Sequence, residues 1–150
     1  MAWITLDETN VQTRLTGPEL SALKSAALAP GQVNPLPEII AKVIQEVRGR
    51  VAACQLNRIG AGSTVPDELT ESALAIVRYR LLTRLPVASL LTDARREEYR
   101  DALRLLADVA ACHFRLEQPD TPTTQIISGP ATQVASQSER IATREKMRGL

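Results

Sequence analysis

Aromatic residues are scarce in this chain: one Trp, one Phe and two Tyr among 150 residues. A core must then be made of Leu, Val, Ile and Ala, side chains that suit helix-on-helix packing. Histidine is scarcer still, His113 being the only one. A catalytic dyad needs a nucleophile and an orienting group beside the base. Cys112 adjoins His113, but neighbouring helical positions point about 100° apart, so the two do not face each other. Two cysteines, Cys54 and Cys112, make no disulfide framework and are expected as buried thiols on helices in a reducing cytoplasm. With His113 they would supply three zinc ligands without the usual close spacing or a fourth partner. No metal and no cofactor is expected, and His113 is expected on an apolar helix face as a core or interface residue. Carboxylates are scattered and none pairs on an apolar wall, so an enzyme is not expected.

Long hydrophobic runs are also missing. Without a stretch of about 18 apolar residues, no transmembrane span is expected. The start, MAWITLDETN, has no basic region followed by an apolar run, so no signal peptide is expected. A net charge of +1 gives no global attraction to nucleic acid or membrane. Lysine is rare: 15 of the 18 bases are Arg. High genomic G+C would produce that bias, and so would planar bidentate pairing at desolvated contacts.

What is present is helical periodicity. From Thr92, whose hydroxyl can cap a first turn, Tyr99, Leu103, Leu106, Ala110 and His113/Phe114 recur at steps of three and four. Ala102, Leu105, Val109, Cys112 and Leu116 widen the stripe. Arg96, Arg100, Arg104 and Asp108 fall opposite. This predicts an amphipathic helix to Leu116 whose apolar face is broad enough to meet several other helices.

Earlier in the chain, residues 3–6 read as a short extended lead-in. Thr5–Glu8 and Thr16–Glu19 have the capping-box pattern and open two short helices, the first over roughly 6–15 and the second carrying Leu20, Leu23, Ala27 and Leu28. Asn34-Pro35 opens a longer helix through Leu36, Ile40, Val43, Val47, Val51 and Cys54. Gly49 interrupts it on the polar side, either for close approach by a neighbour or simply tolerated. Residues 57–65, NRIGAGSTV, form a loop; without a preceding strand and a following Lys-Ser/Thr it is no phosphate-binding loop. Pro66-Asp67-Glu68 opens the next helix, through Leu69, Ala73, Ile76, Val77, Leu81 and Leu82. Period-two alternation long enough for a sheet is lacking. The fold class expected is all-α: a small bundle of two short N-terminal helices and three longer core helices (35–56, 67–84, 93–116), with neighbours antiparallel across short connections.

Composition changes after Glu117. Residues 118–150 are rich in Thr, Ser, Gln, Pro and Gly and hold few large apolar side chains. Such a segment cannot bury enough surface to order itself alone. It is either disordered in isolation or an extended arm that orders against a partner, anchored by Ile126-Ile127 and Ile141–Leu150. The domain reading is a helical domain at 1–117 and an arm at 118–150.

Arg78, Arg80 and Arg84 on one core helix, and Arg96, Arg100 and Arg104 on the next, are the basic clusters. Glu97, Glu98, Asp101 and Asp108 are interleaved with them. A solvated or subunit-contact face fits this pattern. Lining the bore of a ring would add salt-dependent, sequence-blind DNA contact. A helical DNA-binding or regulatory module is the alternative.

The order of five pieces resembles the Mu-like phage head-completion or head–tail connector family, long filed as a domain of unknown function. WITLDETNVQTRLTGPELSAL resembles its two opening short helices, and IIAKVIQEVRGRVAACQL its long first core helix. VPDELTESALAIVRYRLL is similar to its next helix, and EEYRDALRLLADVAACHFRL to its acidic-Tyr-x-x-Ala-Leu-x-x-Leu helix. SERIATREKMRGL resembles its closing Arg-rich peptide. Each piece is degenerate, and their order covers nearly the whole chain. Family members usually carry Gly where this chain reads Cys112-His113, aromatics where it has Ile141 and Leu150, and an Arg-Tyr-Pro-Leu-Pro type loop where it has NRIGAGSTVP. The resemblance implies a structural virion protein in a ring of twelve copies at the neck, between the portal and a tail-proximal neck or tail-terminator protein. It would be assembled in the host cytoplasm, complete the head after packaging and touch packaged DNA only non-specifically, with no membrane role. On this reading Arg78, Arg80, Arg96, Arg100 and Arg104 are candidates for subunit or bore contacts. Ile126, Ile127, Arg140, Arg144, Met147 and Leu150 are candidates for arm docking.

Overall fold

The first helix of the core sets the frame. In the computed structural model, which describes residues 3–28, 31, 33–85 and 88–120, α3 spans Leu36–Ala53. Its Leu36, Val43, Val47 and Val51 are wholly buried, flanked by Ile39, Ile40 and Ile44. Before it come β1 (Trp3–Thr5), α1 (Glu8–Gln12) and α2 (Gly17–Leu28). After it come β2 (Thr64–Pro66), a 3-10 turn at Asp67–Leu69, α4 (Thr70–Arg84), a second 3-10 turn at Ala88–Leu90 and α5 (Asp93–Ala110). The helices α3, α4 and α5 pack on one another. Ala73, Ile76, Val77 and Leu81 of α4 and Ala102, Leu106 and Val109 of α5 close the core. Tyr79 stacks on Tyr99 at 4.2 Å between ring centres, while Leu74 shares a groove with Ala102 and Leu105. Numbers rise on one helix as they fall on the other, so α4 and α5 are antiparallel. The described residues form an all-α bundle of two short and three long helices, as the periodicity predicts. No helix among the described residues is long and apolar enough to cross a membrane.

The ends of the helices depart from expectation in instructive ways. A two-stranded antiparallel ribbon is present, with Trp3 opposite Pro66 and Thr5 opposite Thr64; three residues per strand are too few to register as alternation. Because Thr5 belongs to that ribbon, the first cap moves to Asp7. Asp7 Oδ1 accepts from the Asn10 amide and Asn10 Oδ1 from the Asp7 amide, both at 2.9 Å. The second cap is where the pattern puts it, the Thr16 amide donating to Glu19 Oε2 at 2.7 Å. Asn34 Oδ1 accepts from the Leu36 amide at 3.0 Å. Thr92 sits before α5, but its hydroxyl makes no cap bond.

Of the two loop glycines, Gly60 serves packing, while Gly62 takes the left-handed conformation at φ 60°. A Cβ on Gly60 would lie 2.7 Å from the Trp3 ring, so only glycine lets Trp3 lie flat on the loop. Arg48 of α3 covers the ring at 5.9 Å and donates to the Thr64 and Gly60 carbonyls at 2.7 and 3.0 Å. Burial pulls its pKa below the ordinary value. Gly49 is exposed, and a Cβ there would meet nothing within 4 Å; no neighbour within the described chain requires it.

The C-terminal end of α5 corrects three readings at once. The helix stops at Ala110, not Leu116, because Cys112 turns left-handed at φ 63°. The Cys112 amide then donates to the Val109 carbonyl at 3.1 Å and the His113 amide to the Asp108 carbonyl at 2.9 Å. This is the Schellman arrangement, whose left-handed position glycine normally fills, and it stands where the resemblance places glycine. His113 therefore lies beyond the apolar stripe, with its side chain 74% exposed; it is not a core residue. The cysteines are not free thiols on helices either. Cys54, just past α3, and Cys112 are joined in a disulfide across 58 positions, because both helix ends converge there. Nearby, the buried Asn57 accepts the Leu116 amide at 3.2 Å, which fixes the chain beyond the turn.

Closing a loop of that length is worth up to about 4 kcal/mol in chain entropy. Reductant is thus expected to lower the urea midpoint of the wild type and leave that of Cys54→Ser unchanged. Two titratable thiols in the unreduced protein would sink this reading. With reductant present, Cys112→Gly is expected to be more stable than Cys112→Ala by about 1 kcal/mol, the cost of a left-handed non-glycine residue. Equal stabilities would argue against the left-handed turn.

Candidate functional site

The arginines singled out from sequence separate into an inner and an outer set. Arg78 and Arg80 are two apart on α4, hence about 200° apart around the helix, and they leave it on opposite flanks. Arg78 is only 11% exposed and reaches Glu19 of α2. Its Nε donates to both Glu19 oxygens at 3.2 and 3.1 Å, and its Nη2 to Oε2 at 2.5 Å. Arg95 of α5 adds a bond from Nε to Glu19 Oε1 at 3.3 Å and holds both oxygens of Glu98 through Nη1 at 2.8 and 2.9 Å. Glu19, 4% exposed, thus joins α2, α4 and α5. Burial alone would raise its pKa; the bonds from Arg78 and the Thr16 amide outweigh that and hold it below 4.5.

Arg80 faces the other way, pairing with Glu46 of α3 at 2.5 Å. Burial works against its charge, and Glu46, helped by Tyr99, outweighs it and raises its pKa. Both residues have partners within the chain. Arg78 has too little exposed surface to serve as a contact for another subunit, while Arg80 remains about one-third exposed.

Arg96, Arg100 and Arg104 form the outer set, exposed along one face of α5. Arg96 pairs with Asp93 at 3.0 Å and Arg104 with Asp101 at 3.5 Å. Arg100 has no carboxylate partner among the described residues. Exposed pairs of this kind add little to stability, so these side chains are available to an outside partner. His113 Nδ1 lies 3.7 Å from Asp108 Oδ1 farther along this exposed side. The arm candidates Ile126, Ile127, Arg140, Arg144, Met147 and Leu150 lie outside the described residues.

Two concavities were not foreseen. One, of about 450 Å³, lies between α4 and α5, its floor Leu74, Ala75, Ala102 and Leu105 and its rim the paired charges of Arg14, Glu71, Arg78 and Glu98. The other, of about 390 Å³, lies between α3 and the β1–α1 junction. Glu19 was legible as a cap; its partners 59 and 76 positions away leave no local signal.

Glu19→Ala strands Arg78 against the core and is expected to cost about 3 kcal/mol, with Glu19→Gln costing less; urea unfolding measures both. A carboxylate pKa lowered by folding stabilises fully above the unfolded value and loses that contribution as pH falls through the folded value. The wild-type advantage over Glu19→Gln should therefore persist at neutral pH and shrink below about pH 4.5. An advantage independent of pH would refute the ionised pairing.

No curated protein and no solved structure matches the chain. One family model does, described as Bacteriophage Mu, Gp36, over residues 6–134. That span takes in every helix among the described residues and the ribbon's second strand, so the bundle, its Glu19 junction and the outer face of α5 are those of a phage protein: the chain belongs to the bacteriophage Mu Gp36 family.

Proposed function

We propose that this chain is a structural head–tail connector subunit, an adaptor that forms a ring between the portal and the tail and completes the head after packaging. The role is structural rather than catalytic, carried out at the neck of the virion. The portal lies on one side and a tail-proximal neck or tail-terminator protein on the other. The observation that carries this reading is the outer face of α5. Arg96, Arg100 and Arg104 are interleaved with Asp93, Glu97 and Asp101, all exposed. Such a face is strongly charged yet nearly neutral, which suits a protein surface of alternating charge and not a polyanion. A cyclic assembly needs one face of each subunit to complement a different face of the next, and α5 supplies one of the two.

Light scattering on the purified protein, alone and mixed with portal-bearing capsids that lack it, tests the proposal. The expected result is a monomer alone and a fixed multiple per particle in the mixture. A stable dimer that ignores the particles and shifts duplex DNA at low salt would favour a regulatory DNA-binding module instead. Arg100→Glu is expected to change folding stability by no more than about 0.5 kcal/mol and to weaken particle binding by at least about tenfold. Unchanged binding would remove the α5 face from the interface.

A further inference from the structure

The groove between α3 and the β1–α1 junction has a different character from the charged face of α5. Ile40 and Ile44 of α3, with Leu6 from the junction, form an apolar floor. The wall along α3 is Pro37, Ala41 and Gln45, all exposed and none of them charged. Asp7 and Glu8 stand at the opposite rim. Among the described residues the one base lining it, Arg48, is committed to the Gly60 and Thr64 carbonyls and to Trp3. At about 390 Å³ the groove falls within the range of clefts that hold ligands. The larger cavity between α4 and α5 is a poorer seat for apolar groups, since the charges at its rim are already held in ion pairs, Arg14 with Glu71, Arg78 with Glu19 and Glu98 with Arg95, and desolvating them is costly.

We propose that this groove receives the C-terminal segment of the chain, residues 140–150, with Ile141, Met147 and Leu150 on the apolar floor and the basic side chains at the Asp7–Glu8 rim. Charge complementarity supports this occupant. Residues 140–150 hold Arg140, Arg144, Lys146 and Arg148 against the single acid Glu145, whereas residues 1–120 carry 14 bases and 15 acids. Reach supports it as well. The described chain ends at Asp120, two residues after Gln118, which donates to the Leu56 carbonyl at the far end of α3 from Pro37. Ile141 follows Asp120 by 21 residues, and such a length spans up to about 70 Å, well beyond the roughly 27 Å of α3. The segment can therefore reach the groove of its own bundle or that of a neighbour. The inference deepens the proposed assembly role in giving the arm a receptor on this same chain, and it needs neither the portal nor a particular ring size.

The test places the photo-cross-linker benzoylphenylalanine at position 141 or 147 of the full-length chain and locates the links by mass spectrometry. Mixing isotope-labelled and unlabelled chains separates links within a chain from links between chains. Links are expected at residues 6–8 and 37–45. Ala41→Arg, at an exposed position that leaves the core untouched, is expected to lower their yield by at least about tenfold. Glu8→Arg should lower the yield, and pairing it with Arg144→Glu should restore part of it, which a merely structural effect of Glu8 would not produce. Links concentrated on α5 or in the α4–α5 cavity, an absence of links from both positions, or indifference to Ala41→Arg would each overturn the inference. If the links fall in the groove while portal-bearing capsids bind no protein, the connector reading fails and this one stands. If the capsids bind and the links fall elsewhere, the reverse holds.

Discussion

A carboxylate that is almost completely buried cannot be left without countercharge, and Glu19 meets that constraint with side chains from two other helices. Its helix, α2, is short, and Leu23 is the apolar residue it buries in the core among those whose side chains are described. The pairing of Glu19 with Arg78 and Arg95 supplies the geometric specificity that a short amphipathic helix lacks. A bidentate guanidinium accepts only a narrow range of approach, so α2 is placed relative to both α4 and α5 by the same atoms. Net stabilisation from such a buried pair is modest, because desolvation opposes it, yet removing one partner is costly. The junction therefore acts more as a locator than as a source of stability.

The opposite end of the bundle solves a related problem by covalent means. Three devices meet there: the left-handed turn at Cys112, its disulfide to Cys54, and the Asn57 amide that holds Leu116. A non-glycine residue in the left-handed region costs free energy, and the disulfide offsets that cost by anchoring the same residue to α3. The turn also directs residues 113–120 away from the helix axis and back to the end of α3, where Leu116 and Gln118 meet Asn57 and Leu56. A chain that ended its helix with glycine could make this turn without the staple, but its exit would be held only by hydrogen bonds.

Much of this was legible in the residues. The stripe through Leu36, Val43, Val47 and Val51 and that through Ala102, Leu106 and Val109 are the core, because helical period and burial coincide wherever a helix meets several neighbours. Caps at Thr16–Glu19 and at Asn34 were readable for the same reason: they depend on residues three or fewer positions apart. What was not legible depends on distance along the chain. The ribbon pairs residues some 60 positions apart in strands too short to alternate. The disulfide joins residues that periodicity assigned to two helix faces, and the apolar run through His113 and Phe114 extended a pattern past the turn that ends it. For the arginines, the four-residue spacing of Arg96, Arg100 and Arg104 correctly gave a shared face. Arg78 and Arg80 were grouped by proximity in sequence, although residues two positions apart on a helix lie about 200° apart around its axis.

That division of the arginines bears on why the chain uses so few lysines. Arg78, Arg80, Arg95 and Arg48 all donate through more than one nitrogen or at partly desolvated positions, where a planar fork is better matched than a strongly hydrated ammonium. A genomic bias accounts for arginine on the exposed face of α5 as readily as selection does, but it does not explain donation through two nitrogens at Arg48, Arg78 and Arg95. Arg78, Arg80 and Arg95 tie the helices together with their charges met by Glu19, Glu46 and Glu98, and the exposed ladder on α5 faces solvent. In the ring proposed above, such a bundle would present that ladder in one orientation, since small angular errors at each contact would accumulate around the ring.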